Sequence, residues 1–169
     1  MSNKPALLST VPFSSFSQWD VKQFFFAKIL SKYPVEELGK HLIHQTEKIQ
    51  LSDEPTKEFT ILGVSNKIGM FDGSTEKGSK IKQKYHVVKD NWLAYNPYRI
   101  NVGSIGIKTP NLKGSYISPA YVVFSCKDTI LPEYLWLMMK SDFFNKLIKD
   151  STTGSVRQTL HFEKLASIK

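Results

Sequence analysis

The spacing of hydrophobic positions changes along the chain, and each change predicts a different kind of element. From Ser17 onward, Val21, Phe24, Phe25 and Ile29 fall at helical spacing until Pro34 ends the segment. That predicts a helix of about three turns with an aromatic face. Ser17 with Asp20 three places on resembles a capping box, with Asp standing where Glu or Gln is usual. Phe24, Phe25 and Phe26 read as core packing, with a stacking platform for bases as the competing role. Residues 1–16 are rich in Ser and Pro without any period, which predicts an extended or poorly ordered leader.

Beyond Glu36–Ile43 and a polar stretch over Gln45–Lys57, expected as an exposed acidic loop, the period changes to that of strands. Phe59–Val64 and Asn91–Tyr95 are short apolar runs of the kind that bury as strands. Arg99–Ile107 and Tyr116–Phe124 are dense in Val, Ile, Tyr and Phe and flank a polar insert carrying Pro110, Asn111, Lys113 and Gly114. This predicts a two-stranded unit, with Gly103 and Gly106 marking a bulge or the close approach of another backbone. Leu131–Asp150 reads as one helix. Pro132 suits its first turn, and Glu133, Lys146 and Lys149 suit its dipole. Tyr134, Leu135, Met138, Phe144, Leu147 and Ile148 trace a core-facing stripe. A polar loop over Ser155–Thr159 and a short helix over Leu160–Leu165 follow, and Ser167–Lys169 begins a new segment.

Composition narrows the function. At 169 residues, 41% hydrophobic and 12% aromatic, the chain has the makings of one domain with a real core rather than a disordered polymer. Its net charge of +8 favours a polyanion, either nucleic acid or an anionic membrane face. No apolar run approaches the roughly 20 residues of a membrane span. The N-terminus lacks the apolar stretch of a secretory signal. One cysteine, Cys126, allows neither an internal disulfide nor a cysteine metal cluster, so a cytoplasmic setting is expected.

Several groups of residues invite a chemical reading. Lys77, Lys80, Lys82, Lys84 and Lys89 follow one another without an intervening acid, beside the Gly- and Ser-rich stretch Asp72–Ser79, expected as a flexible loop. They read either as a solvated strand edge or as a track of phosphate contacts. His41 and His44 are three apart but lack a nearby Cys or acid at ligand spacing, so hydrogen bonding is expected there rather than zinc. Asn96-Pro97-Tyr98 is short of the Asn-Pro-Pro-aromatic motif of amino-methyltransferases, and it reads as a turn. Gly103-Ser104-Ile105-Gly106 has the form of a GxxG loop but sits in a strand pattern.

Five motifs stand in a fixed order: ILGVSNKIG (61–69), NPYRINVGSIGI (96–107), SPAYVVF (118–124), PEYLWLMMKS (132–141) and GSVRQTLHFEKLASIK (154–169). In this order and spacing the stretch from about Phe59 to Lys169 resembles the target-recognition domain of type I restriction–modification specificity subunits. The resemblance implies one recognition domain over 17–169, ending where a spacer helix would begin. With the residue patterns it implies an α+β fold: a mixed, mostly antiparallel curved β-sheet with packed helices. It further implies double-stranded DNA as ligand, with methyltransferase and restriction (nuclease and translocase) subunits as partners. The assembly would then be an adenine-N6 methyltransferase and ATP-dependent endonuclease, while this chain holds no catalytic residue, metal or cofactor.

On that reading Asn66, Arg99, Asn101, Arg157 and Gln158 are candidates for base contact, because Arg matches guanine O6 and N7 and Asn or Gln matches adenine N6 and N7. Lys67, Lys77, Lys80, Lys82, Lys84 and Lys108 are candidates for phosphate contact, with Ser104 as a further donor. For Arg99 and Arg157 an internal ion pair is the competing role. Two rival functions use other residues. A single-strand or RNA-binding module would stack bases on Trp92, Tyr95 and Tyr98, and a metal-dependent nuclease would use Asp53, Glu54 and His86.

Overall fold

In the computed structural model, which describes residues 32–151 and 159–169, successive side chains of β6 (Leu93–Tyr95) and β9 (Val122–Cys126) go to opposite sides. Leu93, Tyr95 and Phe124 enter one apolar cluster, while Ala94 and Val123 enter another with Leu62, Met70, Val88 and Ile117. A strand turns its side chains alternately to its two faces, so this sheet is covered on both sides. That is why Leu-Ala-Tyr is apolar throughout rather than alternating with polar residues.

The covered sheet has four antiparallel strands, in the order β1 (Leu42–His44), β9, β6 and β7 (Ile105–Ile107). A second sheet of five packs on its Ala94 side. Its order is β2 (Lys48–Gln50), β5 (Lys84–Val87), β8 (Tyr116–Ile117), β3 (Glu58–Ser65) and β4 (Gly69–Lys77). Only β3 and β8 pair in parallel. The second sheet is rolled, because the 3-10 turns that follow its two edge strands, Leu51–Asp53 and Gly78–Lys80, pack on each other. Leu51, Phe59 and Ile81 fill the roll. The architecture is thus α+β and mostly antiparallel, with two sheets where one was expected.

Helices cover the other face of the four-stranded sheet. α1 (Pro132–Lys140) lies on β7, and its Trp136 Nε1 donates to the Ile105 carbonyl at 3.2 Å. α2 (Asp142–Ser151) packs on a 3-10 turn at Ile100–Val102, and α3 (Phe162–Ala166) on another at Leu38–Lys40. Tyr95 Oη donates to the Leu160 carbonyl at 3.0 Å, which pins the chain as it enters α3.

Four sequence expectations change. The single helix over 131–150 is broken at Ser141, whose backbone is extended. Its Oγ accepts the Phe144 N–H at 3.2 Å, so Ser141 ends one helix and caps the next. The buried stripe accordingly runs through Leu135, Met139, Phe144 and Ile148, while Tyr134 is exposed. The two-stranded unit of 99–107 with 116–124 does not form. β7 pairs with β6, and the polar insert carries the chain across to β8 in the other sheet. The Gly- and Ser-rich stretch after Asp72 continues β4, with its irregularity confined to a bulge opposite Thr60 and Leu62. The acidic loop over Gln45–Lys57 contains β2 and the buried Leu51. The leader at 1–16 and most of the helix expected after Ser17, with Phe24–Phe26, lie outside the described residues, as do 155–158 of the later loop.

Two histidine expectations find specific partners. His41 is held by Thr129 and Glu36, and His44 stacks on Phe162 with ring centroids 4.3 Å apart.

Gly106 is a point of close approach between the sheets, since a Cβ there would overlap the Met70 backbone nitrogen. Gly106→Ala must push two backbones apart, so a loss of about 3 kcal/mol, at the upper end of overpacking costs, is expected in urea unfolding. His86 on β5 is buried, with Nδ1 lacking a partner among the described residues. Burial, then the charges of Lys48 and His44, hold its imidazole below the ordinary value, against the pull of the Glu47 backbone hydrogen bond. The unfolded chain therefore takes up this proton more readily than the folded one. The contribution of neutral His86 is complete above about pH 6.5 and declines as pH falls below it. The urea midpoint is expected to drop between pH 7 and pH 5.5, and to drop less in His86→Gln.

Candidate nucleic-acid interface

Two loops face each other at the end of β3. The first is the β3–β4 turn, Asn66 to Ile68. Ser65 Oγ accepts the N–H groups of Lys67 at 3.1 Å and Ile68 at 3.3 Å, and Gly69 closes the turn with φ +78°. A hydroxyl that satisfies its own turn in this way holds the tip in one shape. Asn66, Lys67 and Ile68 project from it, exposed.

The second is the loop from Asn96 to Ser104. Its ends are joined, because Asn96 N–H donates to the Ser104 carbonyl and Ser104 N–H to the Arg99 carbonyl, both at 3.2 Å. Asn96 Oδ1 accepts the Tyr98 N–H at 2.9 Å. Ile100 is buried in the core beneath, and Gly103 turns the chain back with φ +75°. Arg99 and Tyr98 are left exposed on a short, closed and anchored loop.

Between the loops lies a cleft of about 280 Å³, lined by Val64, Ser65, Asn66, Asn96, Arg99, Val102, Ser104 and Tyr121. One cation and two amides line it, and no carboxylate does. Among the described residues Arg99 forms no ion pair, so the internal role that competed for it is not taken up there. Such a lining suits a ligand rich in hydrogen-bond acceptors.

Of the residues singled out from sequence, Asn66, Arg99 and Ser104 come together in this cleft, with Lys67 at its rim. Asn101 is half-buried in the 3-10 turn and does not line it. Lys108, expected at phosphate, is only 6% exposed and pairs with Asp90 at 2.5 Å. Lys77, Lys80, Lys82 and Lys84 are exposed and form no ion pair among the described residues, but they lie elsewhere. Lys77 stands opposite Glu58 at the far end of the β3–β4 hairpin, about 25 Å along the strands from its tip. Arg157 and Gln158 lie outside the described residues.

Sequence reading missed Ser65, Asn96 and Tyr121 as parts of the cleft. Asn96 was visible only as part of an Asn-Pro turn. Tyr121 gave no signal, since it follows Ser118-Pro119 into a strand like any apolar residue.

The rival residues are placed differently. Tyr95 is fully buried, which removes it from any stacking surface, while Tyr98 is exposed and Trp92 half-buried under Lys89. Glu54 is paired with Lys57 and His86 is buried, and no metal-holding group of three His, Cys, Asp or Glu occurs among the described residues. Burial first, and then Glu133, push the Cys126 thiol up to about 11, so it is a poor nucleophile.

No protein-family profile matches the chain, and no curated protein matches its sequence. Solved structures do. One was described for the complex assembly and conformational transition of the type I restriction–modification system, and it aligns with a TM-score of 0.64 at 18% identity. Another is the HsdS subunit from Thermoanaerobacter tengcongensis, with a TM-score of 0.63 at 16% identity. Each alignment covers 78% of this chain and 35% of the other. The fold is that of part of a type I specificity subunit. The chain spans about a third of the length of these structures, so the likeness is to one portion of them and concerns architecture.

Ser65→Ala tests whether the β3–β4 turn is held as described. The amides of Lys67 and Ile68 are expected to lose protection in hydrogen exchange, about fivefold each for a hydrogen bond worth roughly 1 kcal/mol, with core amides unchanged.

Proposed function

We propose that this chain is a sequence-reading duplex-DNA module of a type I restriction–modification specificity subunit, with catalysis left to its partners. The observation that carries the reading is the carboxylate-free cleft of Asn66, Asn96, Arg99 and Ser104. It is set between two anchored loops in a fold shared with HsdS. The net charge of +8 supports a nucleic-acid partner. No helix among the described residues is long and apolar enough to cross a membrane.

In this reading the domain over 17–169, behind a leader at 1–16, presents Asn66 and Arg99 to base edges, with Asn101, Arg157 and Gln158 as further candidates. Lys67, Lys77, Lys80, Lys82 and Lys84 meet phosphates and set register without reading sequence. The module directs methyltransferase and nuclease subunits to a half-site in the cytoplasm. The adenine to be modified leaves the stack into a partner's pocket, at a cost of a few kcal/mol. No cofactor is required by this chain itself.

Selection from randomised duplexes by the 169-residue chain is the direct test. Enrichment of a half-site of a few base pairs is expected, with single strands competing poorly. Uniform, salt-sensitive binding would reduce the protein to a general polyanion binder. If the five exposed lysines all meet phosphate, log affinity is expected to fall against log salt with a slope of about −4.5, and each Lys→Ala to lessen it by about 0.9. A flat salt response would remove the lysines from the interface.

A further inference from the structure

Given the duplex-reading function proposed above, on which this step rests, we infer that the cleft reads the major-groove edge of a guanine. We further infer that Asn96 determines specificity beside Arg99. Hydrogen bonds already made within the walls decide which atoms remain for a ligand. The Tyr98 N–H needs an acceptor, so Asn96 must turn Oδ1 towards it, at 2.9 Å. Nδ2, with both its hydrogens, is left free for a ligand, while one of the two Oδ1 lone pairs is already taken. Ser65 Oγ spends both lone pairs on the Lys67 and Ile68 amides, leaving its O–H as a donor. The Arg99 guanidinium carries donors only and has no ion-pair partner among the described residues.

Three groups from two separate loops therefore bring hydrogens to the cleft, where Asn66 adds a carboxamide with a donor and an acceptor end. Guanine alone presents two neighbouring acceptors, N7 and O6, with no donor on that edge. Adenine and cytosine each place an amino group there, which would meet donors with a donor. A phosphate is also acceptor-only. A phosphate contact, however, is indifferent to N7, which is the atom the comparison below removes. Lys77 stands at the other end of the hairpin, while Lys67 lies at the rim of the cleft, where it can meet a phosphate flanking the base that is read.

The test uses the full chain and its selected duplex. The enriched half-site is expected to contain a guanine at which 7-deazaguanine, lacking only the N7 acceptor, weakens wild-type binding about tenfold, and adenine up to a hundredfold. Arg99→Ala is expected to bind the guanine and 7-deazaguanine duplexes alike. Asn96→Asp keeps the acceptor that Tyr98 needs and replaces the donors with a carboxylate. It is expected to shift preference at that position towards a base with an exocyclic amino group. The duplex substitutions act on wild-type protein, so they read out whether or not a variant folds.

A half-site without guanine, or equal weakening of every duplex by Arg99→Ala, would overturn the inference and leave duplex reading standing. Unchanged preference in Asn96→Asp would overturn the role given to Asn96. Absence of any enriched sequence would remove duplex reading itself, and the guanine with it.

Discussion

The approach of β4 to β7 at Met70 and Gly106 sets the geometry of everything above it. Each residue lies just beyond one of the loops that wall the cleft: Met70 directly after the turn closed by Gly69, and Gly106 two residues after Ser104. Because Gly106 has no side chain, the two backbones come close enough for the loops to share one cleft. Trp136 braces the same point from α1. Its ring meets the space above Gly69, and its Nε1 is held by the Ile105 carbonyl. A packed interior does not deform continuously, so a shift here reaches both walls together. The residues that meet at this point, Met70, Gly106 and Trp136, form no part of the cleft's lining.

Much of this was legible from spacing. β3, β6, β9 and the helices overlap the runs where apolar patterning puts them, because burying those side chains dominates the energetics, though the expected single helix over 131–150 is two. Gly106 was legible as a close approach for the same reason: a glycine in a strand has little other use there. What spacing could not give was the pairing. Two apolar runs flanking a polar insert look like neighbours, yet Ile105 and Ile107 face helices beside β6, while Tyr116 belongs to the rolled sheet. Composition misled at Asp72–Ser79, where Gly and Ser signal a loop. The ladder with β3 overrides that preference and absorbs it as a bulge.

The candidate site was legible by residue type and not by location. Arg99 and Asn66 were visible as base-reading chemistry, but only the fold places them across one cleft. Lys108 and Lys84 look alike in sequence. One follows β7 and is buried against Asp90, while the other stands free at the exposed start of β5. Charge counts therefore overstate the field available to a ligand, and the pairing must be known before a lysine can be assigned to a phosphate.

The separation between cleft and lysines has a physical sense under the proposed reading. A stretch of about 25 Å along the hairpin corresponds to roughly seven steps of a duplex rising 3.4 Å per base. Cations at one end of such a strut can fix register through phosphates while leaving selection to groups at the other. The division suits the two kinds of contact. Phosphate contacts tolerate the loose geometry of long lysine side chains, whereas base edges demand donors held to within a fraction of an ångström. The cleft loops meet that demand through Ser65, through the Asn96–Tyr98 hydrogen bond and through buried Ile100, so the polar groups that read are kept still by bonds that no ligand needs to break.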